Sequence, residues 1–426
     1  MGRQYQYTHL SDKELEIRLV MVLPDAPESA LRLRIWHAQP RISEQPNVHR
    51  KSVEELQATL PPGWTVSETN QYQYRFLFEQ DDTEDTTWEH PDPAVNPLWW
   101  QPFPECPPPG YQPMYEALSY VWGLPGPTET AYAVQDEQDA LSSDKELHIG
   151  PNLATALKHL RHVDYPRIFW VDAICIDQSN PDERSQQVKH MAEIYRWAQK
   201  VVIWLGPEAK DSGLAISTPS HLGNQLEISS DHRRYRSTNA IEREWFRSSC
   251  ALPFSPEAWQ AIKSLFDREW WERLWVWQES QLANSRAIVC CGEATILWQC
   301  LRKAIVCLRT KDMLLLPSLR TRLEFIETMT HERLRCSSNL LLNASRARKC
   351  FDPRDKIYEM LSIAGPTFTD TTKPDYRDTN KAADVYRDAF TAYTSKISRL
   401  DHLAGCESLS ELTLLICPLG SQIPRL

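Results

Sequence analysis

Asp172 is an acid in an expensive place. It interrupts Ile168-Phe-Trp-Val-Asp-Ala-Ile174, a run that is otherwise apolar, and a carboxylate ionised there needs a partner or a raised pKa. Asp177 follows, opening the polar cluster Asp177-Gln-Ser-Asn180. Both acids fall at or near the carboxyl end of a buried parallel strand, the side on which open α/β sheets bind ligands. They could shape a nucleotide pocket, although Asp177 would serve equally as an acceptor for turn amides. About a hundred residues further on, Trp275-Val-Trp-Gln-Glu279 sets a tryptophan and a glutamate four apart, on one helix face. The structural alternative for Glu279 is an ion pair with Arg273 or Arg268.

Other reactive side chains fit chemistry less well. Cys175 sits between Ile174 and Ile176, and neither His190 nor His148 is near enough in sequence to depress its thiol pKa, so a small buried hydrophobe is the reading. Ser119 lies in Leu-Ser-Tyr-Val-Trp-Gly123 without the G-x-S-x-G elbow of hydrolases. Gly206-Pro-Glu-Ala-Lys-Asp-Ser-Gly213 lacks the lysine and serine placement of a phosphate loop. Tyr120 and Trp122, just before Gly123, either line a pocket at a strand end or pack in the core.

The elements that would position these residues can be read from periodicity. Ile168–Ile174 is predicted as a strand covered on both faces. Pro181 starts a helix at its first position, Asn180 caps it and Glu183 can reach back. Val188, Met191, Ile194, Tyr195 and Ala198 form its apolar stripe, and Val201–Leu205 is a second buried strand, so the unit is β-α-β between parallel strands. Glu16–Leu23 and Leu31–Trp36 read as a hairpin, Tyr115–Gly123 as strand into turn, Leu147–Ile149 and Arg286–Gly292 as short strands. Helices are predicted over 152–161, 258–283 and 296–308, with a mainly helical remainder; 207–255 reads as a long loop with local helix and no chemistry.

Composition narrows the function classes. A chain of 426 residues with 42% hydrophobic residues builds a sizeable core, and a net charge of −10 disfavours a phosphate-binding surface, so no nucleic acid partner is expected. Without an 18-residue apolar run or a signal-peptide-like start, no membrane span and a cytoplasmic location are expected. The 11 cysteines, lacking a C-x-x-C pair, read as reduced thiols, and the 16 tryptophans as core filling.

Residues 60–93 differ in character. Pro-Pro-Gly before Trp64, an aromatic strand, and Thr-Thr-Trp88 with Pro91 three residues on resemble a WW domain. The resemblance implies that Trp64, Phe76 and Pro91 clasp a three-stranded sheet and that Trp88, with Tyr74, receives a Pro-rich peptide in polyproline II form. Departures stand at Arg75, Phe78 and Glu79, where the family has its groove tyrosine, structural asparagine and ligand-facing histidine. A structural module and a working peptide reader are both open.

Three segments together, Tyr115-Glu-Ala-Leu-Ser-Tyr-Val-Trp-Gly123, Trp170-Val-Asp-Ala-Ile-Cys-Ile-Asp-Gln178 with Trp204-Leu-Gly206, and W-x-x-R-x-W-V-x-Q-E from Trp270, resemble the fungal heterokaryon incompatibility (HET) domain. Such proteins act in non-self recognition after hyphal fusion, with the domain as effector of cell death. The HET domain is similar in turn to TIR domains, several of which cleave NAD with the glutamate of Trp-x-x-x-Glu. The resemblance thus implies Glu279 as the catalytic carboxylate, Asp172, Tyr120, Trp122 and Trp275 as the wall of a NAD pocket, no required cofactor, and activation by self-association. The expected fold is α/β, a parallel-rich open sheet with flanking helices of TIR or flavodoxin type. Its expected parts are N-terminal strands in 1–42, the WW-like insertion at 57–93, a Pro-rich linker at 94–111, the HET core at 112–310 and a helical extension at 311–426. The competing function is a non-catalytic adaptor using Trp-rich surfaces and the insertion.

Overall fold

Most of the apolar runs that read as strands do pair, and they join one sheet. The computed structural model describes residues 3–11, 15–40, 49–69, 73–108, 110–124, 126–134, 144–311, 317–330, 345–363 and 372–397. Its strands are β1 (Arg3–Gln4), β2 (Ile17–Val22), β3 (Arg32–Ala38), β4 (Trp64–Glu68), β5 (Phe76–Gln80), β6 (Asp85–Thr87), β7 (Glu116–Ser119), β8 (Glu129–Ala133), β9 (Lys145–Ile149), β10 (Arg167–Trp170), β11 (Lys200–Trp204), β12 (Leu226–Ile228), β13 (Arg234–Arg236), β14 (Ile288–Cys291) and β15 (Ala294–Leu297). Ten of them form an open sheet in the order β1-β9-β8-β3-β2-β10-β7-β11-β14-β15. The predicted hairpin is β2 against β3, with Ile17 opposite Ala38 and Val22 opposite Leu33. At the centre β10, β7, β11 and β14 run parallel, and β7 lies between the two strands of the predicted β-α-β unit. The fold is α/β with a large mixed, mostly parallel open sheet.

The α-helices of the described residues are α1 (Val53–Gln57), α2 (Pro151–Leu160), α3 (Asp172–Cys175), α4 (Pro181–Trp197), α5 (Ser212–Gly223), α6 (Pro256–Phe266), α7 (Val276–Gln281), α8 (Trp298–Arg309), α9 (Pro317–Glu327), α10 (Asp355–Tyr358), α11 (Met360–Ile363) and α12 (Ala382–Ile397). Asn180 caps α4 as predicted, its Oδ1 accepting from the amides of Asp182 at 3.1 Å and Glu183 at 3.2 Å. Glu183 does not return to that cap. It is buried, accepts the Asp177 amide at 2.7 Å, and forms a bidentate pair with the guanidinium of fully buried Arg18 on β2. β2 thereby grips both the helix and the turn that precedes it. No described helix is long and apolar enough to cross a membrane.

Three predicted elements are different in the structure, each for a visible reason. β10 stops at Trp170, and Asp172–Cys175 make a helical turn, α3, instead of continuing the strand. Asp172 sits in the first turn with Oδ1 on the Ala173 amide at 2.8 Å, where free helix amides favour an anion. The predicted helix over 258–283 is broken: α6 ends at Phe266, Glu269–Glu272 is a 3-10 turn, and α7 starts at Val276. Trp270, Trp271, Leu274, Val276, Trp277, Gln278 and Glu279 are all buried, which one helical stripe cannot accomplish. Residues 207–255 are not mainly loop, since they hold α5 and the antiparallel β12–β13 hairpin.

That hairpin seats the insertion. β4, β5 and β6 form a three-stranded antiparallel sheet with its own small core of Leu56, Val66, Phe76 and Phe78, against which Trp64, Trp99 and Trp100 pack. So small a sheet is marginal alone. Ser67 Oγ meets Tyr235 Oη at 2.6 Å, Thr86 Oγ1 donates to Arg236 O at 2.7 Å, and Arg236 pairs with Asp85 at 2.7 Å. Arg50 pins the following Pro-rich stretch, with its guanidinium 3.7 Å from the Phe76 ring and 4.8 Å from that of Phe103, and Nη1 on Gln101 O at 3.0 Å.

Candidate active site

The carboxyl ends of β7 and β10 and the start of α7 meet at one buried cluster of charge. β7 delivers Ser119 at its last position, followed by Tyr120 and the turn to Gly123. α3 delivers Asp172 and α7 delivers Glu279. The segment before α7 supplies Trp270 and Arg273. Glu279 is 1% exposed, Asp172 9% and Tyr120 2%, so both acids are buried. Trp122 reaches from that turn to the surface at 41% exposure while its Nε1 donates to Asp172 Oδ2 at 2.9 Å. The Tyr120 hydroxyl also lies beside the Asp172 carboxylate.

One guanidinium faces both acids. Arg273 donates from Nη1 to the Tyr120 carbonyl and acts electrostatically on Asp172 and Glu279. Burial pushes the Glu279 carboxyl up to about 7; Arg273 opposes the rise, Asp172 adds to it and a hydrogen bond from Ser119 opposes it. Asp172 is likewise raised by burial, against the pull of Arg273, Trp122, the Ala173 amide and Tyr120. Two buried carboxylates facing one half-buried cation cannot both ionise cheaply, and the pair titrates as a unit. Such a cluster keeps one carboxylate near its titration point at neutral pH, able to accept hydroxyl hydrogen bonds and to oppose positive charge.

Ser119 and Trp270 complete the arrangement. Ser119 Oγ donates to Glu279 Oε2 and accepts from Trp270 Nε1 at 2.8 Å. Behind α7, fully buried Glu359 is pushed up to about 8 by burial against the pull of Arg348, and burial takes Arg348 down to about 10. Sequence reasoning passed over Ser119 because it tested only for a hydrolase elbow. The available signal was the one used for Asp172, a polar residue at the end of a buried strand.

The remaining predicted site residues lie elsewhere. Trp275 shares a turn with Glu279, whose amide donates to its carbonyl at 3.1 Å, but its half-buried indole lies beside Asp355 instead. Asp355 also accepts from the Tyr376 hydroxyl at 2.6 Å, and Arg184 lies 3.6 Å from the centre of that ring. Arg268 does not pair with Glu279. It donates to the carbonyls of Leu205 and Pro207 at 3.1 Å, so the loop after Gly206 surrounds a cation. Asp177 accepts from the amide and hydroxyl of Ser179 at 3.0 and 2.6 Å, the turn role. Cys175 is buried, with its thiol pushed up to about 12 by burial. In the insertion, Trp88 is half-buried with the Arg75 guanidinium 5.0 Å over its ring, and Tyr74 meets Phe103 edge-on at 5.9 Å. Among the described residues no group of acids, histidines and cysteines could hold a metal ion.

The segments that build this cluster are also the ones that match a known family. Residues 115–279 match the model of the Heterokaryon incompatibility protein (HET) family, so this part of the chain carries a HET domain. It is 28% identical over 342 residues to Heterokaryon incompatibility protein 6, OR allele, of Neurospora crassa, covering 70% of this chain and 50% of that one. It is 32% identical over 113 residues to Vegetative incompatibility protein HET-E-1 of Podospora anserina, covering 26% of this chain and 8% of that one. The chain thus spans about half the length of the first relative and far less of the second. No solved structure matches it.

Proposed function

We propose that this chain acts in heterokaryon incompatibility, as a regulator or effector of non-self recognition, and that its HET domain triggers cell death by cleaving NAD at the acid cluster. One observation carries the chemical part: Asp172 and Glu279, from segments far apart in sequence, lie in the field of one arginine, Arg273, and Ser119 from a third segment donates to Glu279. NAD is the substrate, and no resident cofactor is required. Glu279 as carboxylate receives ribose hydroxyls and opposes the positive charge that grows as the bond from ribose to nicotinamide breaks. Water adds to the ribose carbon, the bonding pair leaves with nicotinamide, and a proton is released with ADP-ribose.

Both acids are buried and Trp122 of the Tyr120–Leu124 turn is tied to Asp172, so catalysis requires that turn to open, and self-association is the trigger we assign to that opening. The test is nicotinamide release by concentrated or crosslinked protein, wild type against Glu279→Gln, alongside a cell-death assay of both. Intact NAD, together with full killing by Glu279→Gln, removes the mechanism. The adaptor reading has less support, because Arg75 covers the Trp88 ring on which a Pro-rich peptide would lie. Loss of killing in Trp88→Ala but not in Glu279→Gln would reverse that preference.

A further inference from the structure

With Glu279 charged, the chain from Trp270 through Ser119 to Glu279 has one direction. An indole nitrogen is a donor and nothing else, and Trp270 Nε1 gives its proton to Ser119 Oγ at 2.8 Å. The carboxylate can only accept, so the hydroxyl sends its own proton on to Glu279 Oε2. A carboxylate fits that position, whereas a protonated carboxyl oxygen would leave the serine proton poorly placed. The support is stiff. Ser119 is 1% exposed and Trp270 fully buried, and Ser119 stands opposite Ile203 of β11 in the parallel ladder. The carbonyls on either side are held too, that of Leu118 by the Tyr195 hydroxyl at 3.2 Å and that of Tyr120 by Arg273.

We propose that Ser119 is the positioning residue of Glu279: oriented by the Trp270 indole, its hydroxyl fixes the carboxylate and biases it towards the charged form. The inference rests on the reading of Glu279 as the working carboxylate. It separates Ser119 from a nucleophile, since its partners are an indole and an acid and no histidine touches it among its described hydrogen bonds. The other groups that act on Glu279 are Arg273, which favours its charged form, and Asp172, which opposes it. Glu359 couples to it from behind α7, and the phenols of Tyr120 and Tyr195, both raised well above their ordinary range by burial, stay protonated beside it.

The experiment follows the Glu279 carboxyl directly, by carbon-13 NMR titration of glutamate-labelled full-length protein with Glu279→Gln as the assignment control. Nicotinamide release is measured across pH on the same samples. Ser119→Ala should move the Glu279 midpoint upward, shift the rising limb of the rate profile with it, and lower kcat about tenfold with little change in KM. Ser119→Thr, which keeps the hydroxyl, should restore both. If the threonine methyl prevents folding, Trp270→Phe, which removes the upstream donor, should move the midpoint in the same direction as Ser119→Ala. An unmoved midpoint in folded Ser119→Ala overturns the inference, even if wild type cleaves NAD. A moved midpoint in a wild-type background that leaves NAD intact overturns the catalytic reading instead, and leaves the hold of Ser119 on Glu279 established.

Discussion

The indole of Trp122 is tied at 2.9 Å to Asp172, so a partly exposed ring is anchored in the buried acid cluster. The tie fastens the Tyr120–Gly123 turn to Asp172. Gly123 helps it lie close: its φ is +84°, and a Cβ there would come within 3.1 Å of the Asn152 side chain on α2. Trp122→Phe keeps the ring and removes the donor, so hydrogen exchange of the 120–123 amides should quicken while the β10 and β11 amides stay protected. Unchanged protection of the turn would mean that the hydrogen bond does not fasten it.

The pH dependence of NAD cleavage has a defined sign. With the Glu279 carboxyl near 7 and its charged form at work, activity should rise with pH through about that value. Asp172 pushes this pKa up and Arg273 pulls it down. Asp172→Asn should therefore move the rising limb to lower pH and Arg273→Gln to higher pH. Limbs that move together, or in the opposite sense, would contradict the shared-cation geometry.

Stability should respond to the same acids. Glu279 near 7, Glu359 near 8 and Asp355 near 6 all sit above their ordinary values because of burial. The folded state therefore keeps protons that the unfolded chain has released. Each group costs nothing below its unfolded pKa, and its full penalty is present once pH exceeds the folded value. The melting temperature should fall between about pH 5 and pH 8. Glu279→Gln should flatten the fall, recovering on the order of 1–3 kcal/mol at pH 8. A thermal scan giving equal slopes for the two proteins would refute this.

How much of this could be read in the residues depended on whether a local pattern settled the matter. The cap at Asn180, the stripe through Ile194 and Tyr195, and the hairpin of β2 and β3 are local, and they are as predicted. The break after Phe266 is not local. There the apolar residues are too many for one stripe, and Arg322 from α9 donates to the Phe266 and Arg268 carbonyls, contacts invisible to periodicity. Asp172 was legible as an acid in need of partners, but those partners, Trp122 and Arg273, come from elements brought together by the sheet. Glu183 shows the same limit, since its true partner is Arg18, 165 positions away.

That pair provides a test of the scaffold alone. Removing one member leaves a buried charge unmatched, so Arg18→Met should cost about 3–5 kcal/mol in urea unfolding. Adding Glu183→Gln should regain part of it, the remainder reflecting the Asp177 amide that Glu183 also holds. A single-mutant cost below about 1 kcal/mol would mean that the pair is not buried as described.

The most direct measurement is nicotinamide release from NAD by self-associated full-length protein at pH 8, comparing wild type with Glu279→Gln at matched folding. The account predicts steady release by wild type and a loss of about a hundredfold or more in the variant. Equal release by both, or none from wild type under any degree of association, would contradict it.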